Sequence, residues 1–243
     1  MRLAYSTQMR SGLQLRELGA GQFLAVLDAL TGIYQAAMAP PIEQLPGRSS
    51  IMERHAGYAS FRAVVASLPA QDPPGLPAQD PPGLPARDPP GLPATDPAAL
   101  APGGAPGGAP GGQEGQNDRA PRLIGFAYGF HGARGQWWHD LVQEVITHKH
   151  GALAADRWLG DSFEVAEVHV HPRHQGRGTG RAMIRRLTAG QPERTAVLST
   201  MDTHSRARRL YLSLGFTDLV AAFIFPGTDL PYAIMGAPLP LRD

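Results

Sequence analysis

The chain has 243 residues, a formal net charge of +1, 29 glycines, 24 prolines and no cysteine. So small a charge gives no general case for binding nucleic acid or an acidic surface. The lack of cysteine excludes disulfides, thiolate metal sites and a cysteine nucleophile. Residues 1–15 hold no apolar run of signal-peptide or membrane-spanning length, so the expectation is a soluble cytoplasmic protein.

Leu13, Leu15 and Leu18 suggest a first short strand. Over residues 22–37, Phe23, Val26, Leu27, Leu30, Ile33 and Tyr34 recur at helical spacing, with Gly32 as an interruption. Pro40 and Pro41 stop that helix, and a loop runs to Pro46. Ser49 or Ser50 is placed to cap a second helix ending near Tyr58, and residues 61–68 predict a strand centred on Val64 and Val65.

Low complexity follows. LPAQDPPG at residues 68–75 recurs at 76–83, again with Arg87 at 84–91, and decays in 92–99; Ala-Pro-Gly-Gly then appears three times over 101–112. Each unit has one leucine and no face to bury, which excludes a solenoid and favours an extended, polyproline-like, mobile segment. A strand resumes over residues 123–128. The insert at about 69–120 is therefore expected to replace the turn of a hairpin formed by residues 61–68 and 123–130, interrupting a single domain. Widening a turn from about four residues to about fifty costs only about 2 kcal/mol of closure entropy. The repeats also have the composition of a ligand for proline-recognition modules, but replication slippage in a permissive loop is the simpler account.

Residues 129–135 read as a turn region, and Trp137, Trp138, Leu141, Val142, Val145 and Ile146 as a helix to about His148. Residues 151–160 are expected to be irregular or a further helical turn. Residues 195–201 predict a strand, and Asp202 or Thr203 a cap for a helix over 205–214 that Gly215 closes. Strands over 216–225 and 232–237 flank the turn Pro226-Gly227-Thr228-Asp229. This order implies a mixed α/β fold with a largely antiparallel sheet, in which the helix-linked strands 164–170 and 195–201 run parallel.

The most informative stretch is residues 163–187, FEVAEVHVHPRHQGRGTGRAMIRRL. A β-rich run ends at Pro172, a turn carries Gly176, Gly178 and Gly180, and a helix begins with Met183, Ile184 and Leu187 on one side. Strand, glycine turn and helix together suit phosphate, because backbone N–H groups converge at a helix start and glycine permits close approach. Arg173, Arg177 and Arg181 add charge there. A P-loop would need Lys and then Ser or Thr where Arg181 and Ala182 stand, and the spacing is not that of a dinucleotide fingerprint.

Gln175, Gly178 and Gly180 fit Q-x-x-G-x-G, and Ala207, Tyr211, Gly215 and Phe216 fit A-x-x-x-Y-x-x-x-G-F. In this order and at this separation the two blocks resemble the GNAT N-acetyltransferase superfamily. The resemblance implies a GNAT-like sheet whose parallel pair splays, flanked by helices, and acetyl transfer from acetyl-CoA to a primary amine of a small molecule or peptide by direct attack. It implies that backbone N–H groups of Gln175, Gly176, Arg177, Gly178, Thr179 and Gly180 hold the diphosphate, with Arg177 and Arg181 as charged partners. The backbone of Val168, His169 and Val170 would pair with the pantetheine arm. Tyr211 stands at the family's thiolate-donor position, and Glu164, ahead of Glu167, is the preferred base. Strand alternation puts those two glutamates on opposite faces unless a bulge intervenes, so only one is expected in the cleft. His204 stands where the family often has Asn.

His169 and His171 suggest relay residues; without a carboxylate at suitable spacing they are weak support for a metal, and none is expected. Trp137 and Trp138 are candidates for an acceptor pocket, with at least one of them expected in the core. Acceptor contacts are expected from residues 39–50 and the late strands. Neither nucleic acid nor membrane is an expected partner, and a homodimer stays open. Two other classes compete: a catalytically silent CoA-binding module that engages a protein partner, and a structural protein organised by the repeats.

Overall fold

A computed structural model describes residues 12–39, 45–69 and 121–242. The expected stop at Pro40 and Pro41 and the repeat insert, apart from its first residue, lie outside the described residues. The elements in chain order are β1 (Gln14–Leu18), α1 (Ala20–Leu24), α2 (Leu27–Met38), α3 (Leu45–Ala56), β2 (Arg62–Leu68), β3 (Arg122–His131), α4 (Trp137–His150), α5 (Ala152–Leu159), β4 (Ser162–Val170), α6 (Thr179–Thr188), β5 (Thr195–Met201), α7 (Arg206–Ser213), β6 (Thr217–Ile224) and β7 (Pro231–Pro238). Among the described residues the strands form one sheet in the order β1-β2-β3-β4-β5-β7-β6. Every pairing is antiparallel except β4 with β5, which makes this the mixed α/β sheet that the sequence implies.

The apolar periodicities read from the sequence settle which face each element buries. On one face, Met183, Ile184 and Leu187 of α6 are fully buried with Val64, Ile124, Phe163 and Val165, and Tyr211 and Leu214 extend the cluster. On the other, Phe23, Leu27, Leu30, Ile33 and Tyr34 cover Val65, Phe126, Tyr128 and Phe130. On that same face, Val142 and Ile146 of α4 and Leu159 of α5 cover Val197, Val220 and Ile234.

Several boundaries differ from the sequence reading, each for a local reason. The first predicted helix breaks at Val26 (φ −118°, ψ 14°) and not at Gly32. The break lets Phe23 set its ring edge-on to Phe61 and Tyr128, at 5.0 and 5.1 Å, while α2 lies along the sheet. Ser49 and Ser50 lie inside α3, and the Ser49 hydroxyl meets Thr31 Oγ1 of α2 at 3.2 Å. Ser205, rather than Asp202 or Thr203, caps α7, its Oγ accepting from Arg208 N at 3.1 Å. Asp202 is engaged elsewhere: its Oδ2 accepts from the Ala222 N–H at 2.8 Å, where Ala222 has φ +51°. Residues 152–159 are a regular helix because Ala155 and Leu159 bury one side of it.

Two features of β4 position the site. It pairs with β3 along its length, but Tyr128 faces Glu167 and Gly129 faces Val165, so Ala166 is an extra residue, a bulge. On the other edge, β4 pairs with β5 only through Ser162–Thr195, Phe163–Ala196 and Glu164–Val197, and the strands then separate. Gly129 is required opposite the bulge: a Cβ there would fall 2.3 Å from Glu164 O and 2.6 Å from Phe163 Cε1.

Gly129→Ala is therefore expected to destabilise the protein by about 1–3 kcal/mol through overpacking against backbone. Gly32→Ala, in open space on α2, is expected to stabilise it by about 0.5–1 kcal/mol. Urea unfolding of the two variants checks the contrast; equal effects at the two positions would contradict the packing described around the bulge.

Candidate functional site

A cavity of about 510 Å³ opens where β4 and β5 part, walled by α3, the start of α4, and the turn before β7. Its polar lining includes Glu164, Glu167, Arg48, Arg54, His55 and Ser199. Aromatic lining comes from Tyr58, Trp137, Trp138, Phe225 and Tyr232. The bulge at Ala166 reverses the alternation, so both glutamates face this cavity, where only one was expected. Phe163 and Val165, and past the bulge Val168 and Val170, turn to the α6 face instead.

The two carboxylates have different surroundings. Glu167 Oε1 takes the Arg48 guanidinium at 2.6 Å, and its Oε2 is hydrogen-bonded to His169 Nε2. Arg48 also lies over the Tyr34 ring at 4.7 Å. Burial pushes the Glu167 carboxyl up, but the His169 hydrogen bond and the charges of His169, Arg48 and His55 outweigh it and hold the group below its ordinary 4.5. Glu164 has a single side-chain partner among the described residues, His139 Nδ1 of α4 at 2.8 Å, and burial pushes its carboxyl up. His55 meets the Tyr128 hydroxyl at 3.1 Å, and burial pushes its imidazole down to about 4.

Beyond the splay, the sequence-predicted loop is built as a short 3₁₀ turn (Pro172–His174) and a glycine run into α6. Gly176 (φ +73°) and Gly178 (φ +84°) occupy the left-handed region; among the described residues a Cβ at Gly176 would meet only Arg206 Nη1, at 3.9 Å, and one at Gly178 nothing within 4 Å. Gly178 is the N-cap of α6 and Thr179 its first residue; no side chain caps the N–H groups of that turn. Gly180 serves packing, since a Cβ would sit 3.3 Å from Leu210 Cδ2. Gln175 ties the loop to the strand, its Nε2 donating to Val170 O at 3.0 Å.

The remaining predicted residues are distributed as follows. Val168, His169 and Val170 lie on the β4 segment that has β3 on one edge and no strand on the other among the described residues. The guanidinium of Arg181 is turned to α7, donating to Ser213 Oγ at 2.6 Å, while Arg177 is exposed beside the glycines. His171 accepts from the Arg173 N–H within the 3₁₀ turn. His204 is exposed in the turn before α7, its carbonyl accepting from Arg209. Tyr211 is buried edge-on to Phe216 at 5.8 Å, and its hydroxyl has no hydrogen-bond partner among the described residues. Burial, and then the charge of Glu167, push that hydroxyl's pKa upward. Trp138 donates to Ser199 Oγ at 3.2 Å and packs on the core, whereas Trp137 is 62% exposed at the rim. Sequence reasoning missed Arg48 as the partner of Glu167, His139 and His55. Arg48 stood in a presumed loop, and His139 lies 25 residues from its partner with no motif joining them.

Because Glu167 is ionised and paired in the folded chain, it adds stability that is fully present above its ordinary 4.5 and lost as pH falls through its lower folded value. Glu167→Gln is expected to lose on the order of 1–3 kcal/mol at neutral pH. The gap to wild type should narrow on acidification below pH 4.5; urea unfolding at a series of pH values checks this, and a gap that widens in acid would contradict the pairing.

Comparison with known proteins agrees with this geometry. Residues 133–218 match the family model of the acetyltransferase (GNAT) domain. Over 123 residues the chain is 44% identical to the GCN5-like protein acetyltransferase Rv2170 of Mycobacterium tuberculosis, a match spanning 49% of this chain and 60% of that protein. A structure assigned to the GNAT acetyltransferase family from Desulfovibrio desulfuricans superposes with a TM-score of 0.50 at 11% identity, covering 93% of this chain and 98% of the other. Arabidopsis thaliana NAA60, solved with a bisubstrate analogue, superposes with a TM-score of 0.51 at 14% identity, covering 93% and 99%. These last two likenesses concern the fold alone; the two sequence matches show that residues 133–218 are similar to a GNAT acetyltransferase domain, and the chain spans about 60% of the length of the curated relative it matches.

Proposed function

We propose that the protein is an N-acetyltransferase that moves the acetyl group of acetyl-CoA to a primary amine of a small molecule or peptide by direct attack. The observation that carries this reading is the splay: β4 ends its pairing with β5 at Glu164, leaving an open edge that leads from the two-carboxylate cavity to the glycine turn. An extended amide-bearing arm can pair with such an edge. The uncapped start of α6, with Gly176 and Gly178 in left-handed geometry, suits a diphosphate. Arg177 and Arg206 are the nearby cations; Arg181 acts through Ser213, bracing α6 against α7.

In the reaction the neutral amine attacks the acetyl carbonyl carbon. The C–N bond forms and the C–S bond breaks. The thiolate takes the Tyr211 proton, and the surplus proton on nitrogen goes to Glu164. Glu164 suits the base because one of its oxygens has no protein partner among the described residues, whereas both Glu167 oxygens are occupied, one by Arg48 and the other by His169. Tyr211 suits the acid because its hydroxyl is protonated and uncommitted. The aromatic lining favours an acceptor with an apolar body. We further propose a cytoplasmic protein built as one domain, interrupted by the repeat segment between β2 and β3; no described helix is long and apolar enough to cross a membrane.

Incubation with acetyl-CoA and panels of amines, aminoglycosides, amino acids and peptide N-termini, with detection of free thiol, tests the activity. Thiol release with at least one amine class is expected; acetyl-CoA binding without release across the panels would favour a silent CoA-binding module. Tyr211→Phe is expected to keep its melting temperature and acetyl-CoA affinity while losing about 10²–10⁴ in turnover. Intact turnover with lowered stability would make Tyr211 a packing residue. Gly178→Val should weaken acetyl-CoA at least about tenfold by calorimetry, and unchanged affinity would remove the diphosphate from this loop.

A further inference from the structure

We propose that His139 is the positioning residue of Glu164: its Nδ1–H holds one carboxylate oxygen so that the other faces the amine. This rests on the reading of Glu164 as the base. His139 is 4% and Glu164 3% exposed, and the two meet at 2.8 Å across 25 residues of sequence. The bond is closed off by backbone. A Cβ on Gly132 would fall 2.6 Å from Glu164 Oε1, 2.7 Å from Ser162 Oγ and 2.9 Å from His139 Nδ1, so only glycine lets the backbone lie this close against the pair.

The imidazole is itself anchored by the start of α4. Gln136 accepts from Ala133 N at 3.0 Å and donates to His131 O at 3.1 Å, and Asp140 accepts from Gly135 N at 3.0 Å. A rigid helix start therefore aims His139 at Glu164. The carboxylate is left with Oε1 fixed and Oε2 free of protein partners among the described residues, on a residue that lines the cavity.

The bond has a consequence for pH. Burial favours the neutral acid at Glu164, and a donated N–H favours the carboxylate. The titratable groups facing Glu164 are His139 and Asp140 of α4 and His131 of β3. From α3, His55, Arg48 and Arg54 line the same cavity on the side of Glu167; β5 contributes Val197, Leu198 and Ser199, none of which titrates near neutrality. Removing the His139 donor leaves the burial and takes away the support, so the carboxylate must be reached at higher pH.

The test uses the full chain, acetyl-CoA and the fastest amine from the panels. His139→Leu is expected to move the acid limb of kcat/KM upward by about one pH unit or more, a loss of about tenfold at a fixed pH on that limb. His139→Asn, which keeps a donor near the Nδ1 position, should return the limb towards that of wild type. An unmoved limb in His139→Leu, or the same displacement in both variants, overturns the proposal. If His139→Leu fails to fold, nitrogen NMR of the wild-type imidazole decides without any variant: the Nδ1–H tautomer is expected, and the Nε2–H tautomer overturns it. Glu164→Gln separates the two readings. If that variant keeps full turnover, Glu164 is not the base; if it is inactive while the His139→Leu limb stays in place, only the role of His139 falls.

Discussion

One extra residue in β4, Ala166, governs the arrangement of the site. A regular strand would send Glu164 and Glu167 to opposite faces of the sheet. With the bulge, both face the cavity, while Phe163, Val165, Val168 and Val170 all keep to the face covered by α6. The bulge exists because the facing strand offers Gly129, where any side chain would strike the Glu164 carbonyl and the Phe163 ring. A bulge also raises local twist, and the separation of β4 from β5 begins two residues before it. Convergence of two carboxylates and opening of the cleft thus occur within one short segment of backbone.

Sharing a face does not make the two acids alike. Glu167 is gripped by Arg48 from α3 and His169 from its own strand, which fastens α3 over the cavity and holds a charge that burial alone would suppress. Glu164 has one neutral-capable partner, and burial has the upper hand. A committed ion pair contributes to architecture, whereas an acid with a free oxygen remains available to a proton. The environment, not the residue type, separates the two carboxylates.

At the other end of the open edge, rigidity comes from packing. Met183, Ile184 and Leu187 anchor α6 in the core, so the glycine turn before it is held from its C-terminal side; Gln175 holds it from the strand. The same logic applies to the long connection between β2 and β3. Those strands pair as far as Leu68 with Arg122, so the sheet itself brings the ends of the connection together.

The strands and helices were largely legible in the sequence because periodicity and glycine placement are local properties. The 195–201 strand, the apolar side of α6 and the two family blocks are all read within windows of a few turns. Capping was misread where a side chain had a distant competitor: Asp202 serves Ala222, and Ser205 takes the cap. The candidate site was half legible. Glu164 and Glu167, which line the cavity, and the glycines of the turn were singled out from the strand and its motifs; so was Tyr211, which is buried in the core on the α6 side. Arg48, His55 and His139 were not, since each reaches its partner from an element far away in the chain. The bulge belongs to the same class, since it depends on a contact between Gly129 and Phe163 that no single strand contains. The sequence by itself determined the elements and the glycine loop, because these follow from neighbours in the chain. Only the tertiary structure decided that both glutamates face one cavity and which of them is already paired, because burial and charge pairing are properties of segments brought together by folding.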